Sequence, residues 1–301
     1  MSTRRAGLTV AAALLVAACS GGFGSTSEGS VTGGTDNGAG SNGSTKTTPG
    51  VWQGTVTSPT TGTSSMMAFT DDTGHSVWMA TDGRVWSGQM PVSAIEFDDS
   101  MVGHIYPGAH FPDGTNHGTW SMHASFSHGI WSGHLSGAGE HGTFTMSMHP
   151  ARDLPASLAT LAGTYTRTTS IGYTMTMSVT QAGQLTASDT RGCLINGTVS
   201  VPDPAHNHYR IAATVTSCGV LDGNYEGHGT LVDASAMQGW MSEMGCFQYG
   251  QDGMMAGGMG HGGMDGWWPV GGTNTVPSGT GNLFMFAIES GRTAIMDALA
   301  R

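Results

Sequence analysis

The sequence predicts an all-β chain: two tandem antiparallel up-and-down meanders, each curled into a small β-barrel-like domain, behind a flexible Gly/Ser tether. Three observations predict it. Glycine is abundant (49 of 301 residues), charged residues make up only 10%, and β-branched and aromatic runs lie between Gly-containing turns, a strand-and-turn composition. Apolar and polar residues alternate strictly through Thr143–His149, with Phe144, Met146 and Met148 on one face, and through Thr174–Thr180, with Met175, Met177 and Val179 on one face. Such alternation half-buries an antiparallel strand. Finally, the chain repeats itself, the mark of a duplicated unit.

Residues 1–18 read as a secretion signal. Arg4 and Arg5 precede an uncharged apolar run, Ala6–Ala18, too short for the roughly 20 residues that span a bilayer but suited to a signal peptide. The stretch Val16-Ala17-Ala18-Cys19 that follows resembles the lipobox of bacterial lipoproteins. The resemblance implies a lipidated Cys19 as the mature N-terminus, carrying a diacylglyceryl group in thioether linkage on its sulfur and N-acylated by a chain such as palmitate. Several acyl chains hold a protein on a membrane where one is marginal. Ser20 after the cysteine, rather than Asp, points to the outer membrane over inner-membrane retention. Residues 19–49 are almost purely Gly, Ser, Thr and Asn and cannot bury a core, so they read as a tether reaching roughly 30 Å.

Two copies follow, over 50–153 and 159–301. One opens with Gly54-Thr55-Val56-Thr57 and the other with Gly163-Thr164-Tyr165-Thr166; each continues through a Met-bearing strand, a Gly turn and a strand ending in Val-Ser. Later, SHGIWSGHLSGAGEHGTF parallels SCGVLDGNYEGHGTLVD. About eight strands are expected per copy, with an ARDLPASLAT helical linker between copies. Barrel closure would remove exposed edges. The outward positions read as Thr, Ser and His, so the barrels are expected to face water rather than lipid, unlike transmembrane barrels. The second copy, through GTYT, TMTMSV, AGQLTASD, RGCLINGTVSVPDPAHNHYRIAATVTSCGVLDGNYEGHGTL and ESGRTAI, resembles a domain of Gram-negative lipoproteins of unassigned function. The resemblance implies a barrel-like module without catalytic residues.

Loss of Arg4 and Arg5 leaves 21 acidic and 8 basic residues in the mature chain, about −13 in net charge. Such a surface repels nucleic acid. No G-x-S-x-G, H-E-x-x-H, phosphate-loop or dinucleotide motif occurs, and no enzyme activity is expected. Asp71-Asp72 and Asp98-Asp99 sit in turn-like contexts and make poor acid/base pairs. Cys193 and Cys218 flank Asp203–Asn207 almost symmetrically, so a hairpin would place them nearly opposite and allow a disulfide. That bond is expected to stabilise the second copy alone. Cys246 is left over.

Of thirteen histidines, eight lie between His104 and His149 and His75 adds a ninth. Their spacing matches no metal motif, so scattered solvated side chains are expected, with His123 and His149 facing water. The strand methionines read as core. Residues 237–279 form a Met/His-rich insertion in the second copy. Met254, Met255, Met259, His261 and Met264, with Cys246 nearby, offer soft ligands that select Cu(I) or Ag(I); the bland alternative is a low-complexity loop. No cofactor is otherwise implied. The sequence thus reads as a non-catalytic lipoprotein of the cell envelope. It is held on the outer membrane, with its periplasmic or surface face open. It acts as a structural module or binds a protein, glycan or small apolar ligand; the alternative is a Cu(I)/Ag(I) protein in metal tolerance.

Overall fold

The computed structural model describes residues 50–90, 96–105, 109–168, 172–237 and 282–301. The chain forms two closed, eight-stranded antiparallel barrels in tandem. The first contains β1 (Gly50–Ser58), β2 (Gly62–Thr70), β3 (His75–Ala80), β4 (Arg84–Gln89), β5 (Glu96–Ile105), β6 (His117–Ser127), β7 (Ile130–Gly137) and β8 (Glu140–Met148). The second contains β9 (Gly163–Thr168), β10 (Thr174–Val179), β11 (Gln184–Asp189), β12 (Leu194–Ser200), β13 (Tyr209–Thr216), β14 (Gly223–Asp233), β15 (Asn282–Glu289) and β16 (Ala294–Ala300). Each strand pairs with its sequence neighbour, β1 closes on β8 and β9 on β16. A 3-10 turn at Pro150–Asp153 and a one-turn helix at Leu158–Leu161 connect the barrels. Among the described residues no helix is long and apolar enough to cross a membrane.

The repeat holds strand for strand over the first half of each barrel. Gly62, Gly74 and Gly83 turn β1–β4 with positive φ, and Gly172, Gly183 and Gly192 do the same for β9–β12, a backbone region glycine enters without a Cβ clash. The later parallel slips by one strand. SHG turns β6 into β7, the sixth and seventh strands of its barrel, whereas SCG follows β13, the fifth strand of the other.

Parity delivers the interiors. Trp52, Trp78, Trp86, Trp120 and Trp131 pack with Met66, Met101, Phe144 and Met146 inside the first barrel. Tyr165, Tyr209, Tyr225, Phe284, Met175 and Met177 pack inside the second. An inward arginine sits in each: Arg84 pairs with Asp82 and with Glu140 at 3.0 Å, and Arg167 pairs with Asp297 at 2.6 Å.

The outward faces depart from the sequence reading. On β2, β3, β15 and β16 both faces are apolar. Met67, Phe69, Val77 and Met79 point away from the first interior and pack against Val232, Met237, Leu283, Met285, Ala287 and Met296 of the second barrel. The two barrels therefore share a dry seam, at about 1.5–3 kcal/mol for each large side chain removed from water. The polar outward positions expected around each whole barrel dominate on the strands away from this seam, while β3 and β15 keep them at their ends, in His75 and Glu289.

The disulfide joins Cys193 and Cys218, with Cα atoms 4.8 Å apart. The register differs by one residue from the symmetric hairpin: Leu194 pairs with Thr216, so Cys193 falls opposite Ser217. Ser217 adopts a φ of 63°, and the chain turns there to bring Cys218 back to its partner.

Candidate functional site

At the seam lies a compact polar group drawn from both barrels. Asp71 lies in the β2–β3 turn and His75 opens β3. His208 precedes β13, Arg210 and His228 lie on the outward faces of β13 and β14, and Glu289 ends β15. Pairing of Arg210 with His228, and of Glu226 with Glu289, sets these side chains side by side on the second barrel.

Asp71 is fixed by the turn. Its Oδ1 accepts from the Thr73 amide (2.8 Å), the Thr73 hydroxyl (2.6 Å) and the His75 amide (3.0 Å). Its Oδ2 accepts from the Arg210 guanidinium across the seam, and Asp72 lies 3.8 Å from the same guanidinium nitrogen. Burial alone would raise the Asp71 pKa. The hydrogen bonds from Thr73 and Arg210 outweigh it and hold the carboxyl below its ordinary value.

Three imidazoles run in series beside it. His75 Nδ1 is 3.0 Å from His228 Nε2, and His228 Nδ1 is 3.0 Å from His208 Nε2. His75 Nε2 faces Glu289 at 4.0 Å. Burial pushes His208 down to about 4 and His228 well below its ordinary value, the latter reinforced by the neighbouring His208 and His75. Both are therefore neutral near pH 7, and each ring then carries one N–H and one lone pair. One direction suits the ends of the series: His208 donates to His228, His228 to His75, and His75 points its remaining N–H at Glu289. That order leaves the buried His208 Nδ1, which has no partner among the described residues, as a bare acceptor rather than a stranded donor. Asp71, His75 and His228 each offer a ligand atom, all within 4.8 Å of one another.

Of the other histidines, His110, His117, His128, His134 and His141 are exposed, as expected of solvated side chains, while His104 and His149 are buried. His104 stacks on His117 and His123 on His134, with ring centroids 6.4 and 5.0 Å apart, because both are directly opposed cross-strand pairs. His123 is partly exposed as expected and contacts Asp98 (2.8 Å) and Glu96 (3.3 Å) over an open groove. Asp98 and Asp99 lie within β5, not in a turn. His149 is buried rather than solvent-facing: its Nδ1 accepts from the Ala151 amide at 3.0 Å and caps the following 3-10 turn. That capping bond replaces the water the parity argument assigned to it.

Cys19, Cys246 and the soft-ligand set Met254, Met255, Met259, His261 and Met264 lie outside the described residues. Sequence reasoning did not single out Asp71, His208, Arg210, His228 or Glu289 as a group. The available signal was His75 directly after an Asp-Asp-Thr-Gly turn and the two histidines flanking β13 in the other copy. No family model matches the chain, and no curated protein or solved structure matches it either.

Proposed function

We propose that this protein is a non-catalytic lipoprotein of the cell envelope, anchored through Cys19, whose paired barrels form a rigid binding platform with its site at the seam. The seam centre supports this reading. It gathers Asp71, His75, His208, His228 and Glu289 although both barrels close through their own strand ladders. Desolvating such groups costs free energy, so their concentration at one place favours a binding role over a purely architectural one. The Val16–Cys19 stretch and the Gly/Ser tether support attachment to a membrane by lipid, with the outer membrane favoured by Ser20.

Fractionation of cells expressing the full chain tests the anchor. Cys19→Ser should release the protein from the membrane fraction or stall its processing. A variant that fractionates and migrates like the wild type contradicts the reading. A second reading, Cu(I) or Ag(I) binding by Met254, Met255, Met259, His261, Met264 and Cys246, rests on ligand softness alone.

A further inference from the structure

We propose that the seam centre binds one borderline divalent transition-metal ion of the Zn(II) class, through His75 Nδ1, His228 Nε2 and a carboxylate oxygen of Asp71. The inference rests on the seam being the binding site and is independent of the anchor.

The ligand types fit: two imidazoles and a carboxylate suit Zn(II) and neighbouring divalent ions, and disfavour the hard Mg(II) and the soft Ag(I). The spacing fits as well. Two nitrogens each about 2.0–2.1 Å from a tetrahedral ion stand about 3.3 Å apart. His75 Nδ1 and His228 Nε2 are 3.0 Å apart, so the ion replaces the hydrogen of that bond with a small widening.

The outer groups carry the argument furthest. A metal-bound histidine almost always gives its far N–H to an acceptor, which fixes the ring and raises its basicity. Here one far nitrogen already faces one, and the other lies beside a histidine that can become one. His75 Nε2 faces the Glu289 carboxylate, and His228 Nδ1 lies 3.0 Å from His208 Nε2. A plain cross-seam hydrogen bond between two histidines requires neither. On metal binding His228 carries its proton on Nδ1 and donates to His208 Nε2, and His208 must then move its own proton from Nε2 to Nδ1.

Arg210 is the competing cation. It holds Asp71 Oδ2 from a side chain 44% exposed, and Asp72 stands 3.8 Å from it as an alternative partner. The arginine can therefore shift to Asp72 and release Asp71 to the ion. Since Asp71 and His75 come from the first barrel and His228 from the second, the ion ties the two together.

The test is a titration of the full chain, purified in detergent and stripped with a chelator, with ZnCl2, read by calorimetry and thermal unfolding. The wild type should bind one ion at a site above any weaker surface binding. At one hundred times the dissociation constant its melting temperature should rise by about 5–10 °C. His75→Phe, at the half-buried rim, should weaken that site at least 100-fold. Glu289→Gln should weaken it about tenfold, as outer-shell changes do. Arg210→Gln should tighten it, an effect a merely structural arginine does not produce. His123→Ala, in the surface groove, should change nothing. A wild type without a zinc-dependent shift, or a His75→Phe variant that binds zinc like the wild type, overturns the proposal, while a chain still anchored through Cys19 leaves the lipoprotein reading standing. Silver binding that survives His75→Phe and is lost on deleting residues 253–264 belongs to the Met/His-rich segment and does not count for the seam.

Discussion

A single histidine shows how much of this fold sits outside the parity rule. His104 occupies an outward position of β5, yet it is 1% exposed and neither ring nitrogen makes a well-formed hydrogen bond. Burial, then the charge of His117, pushes its pKa from 6.5 down to about 4, against a lesser opposing pull from the Arg292 backbone. Between those two values the unfolded chain binds the proton and the folded chain does not. Stability is therefore fully present above pH 6.5 and falls as pH drops toward 4. The contribution at stake is on the order of 3 kcal/mol. Urea unfolding at pH 7 and pH 4.5 should show His104→Phe losing less stability on acidification than the wild type; an equal loss would remove this group from the acid sensitivity. The residue scale also marks where sequence reasoning ran out. The inward methionines of β8 and β10 were legible from alternation. His149 was not, because a local cap overrode its parity, and neither was the seam centre. The parts contributed by the two barrels are separated by well over a hundred residues, and only the register of β13 on β14 and the packing of the two barrels bring them together.

At the scale of elements, the strand-and-turn reading succeeded wherever one strand face meets water. Turn glycines at 62, 74 and 83 and at 172, 183 and 192 punctuate the same three hairpins in each barrel. It failed on β2, β3, β15 and β16, whose runs MMAF, VWMA, LFMFAI and AIMDALA are apolar on both sides apart from the inward Asp297. Continuous apolar strands are buried on both faces, so the seam was written in the sequence as the absence of alternation. The β12–β13 hairpin is a simpler case. Its disulfide closes 25 residues of sequence separation, and in the chain-entropy model such a loop contributes about 3–4 kcal/mol. The double variant Cys193→Ser/Cys218→Ser should unfold at correspondingly lower denaturant concentration. A midpoint equal to that of the oxidised wild type would mean that the bond does not constrain the unfolded chain.

Across the whole molecule, the two barrels pack as one structural body. Read as separate modules, the copies would respond separately, and damage to the second would leave the first folded. A seam of more than a dozen buried apolar side chains makes the opposite prediction, because unfolding the second barrel strips the cover from Met67, Phe69, Val77 and Met79. It also explains why the proposed metal ligands come from both copies: the site exists only where the barrels meet. The most direct measurement is hydrogen exchange read by mass spectrometry on the Cys193→Ser/Cys218→Ser variant, following peptides from β1–β4 and from β11–β14 separately. The account predicts that the weakened second barrel lowers protection in β2 and β3 along with its own strands. Unchanged protection of β2 and β3 beside loosened β11–β14 would contradict it, and the chain would then be two barrels on a string.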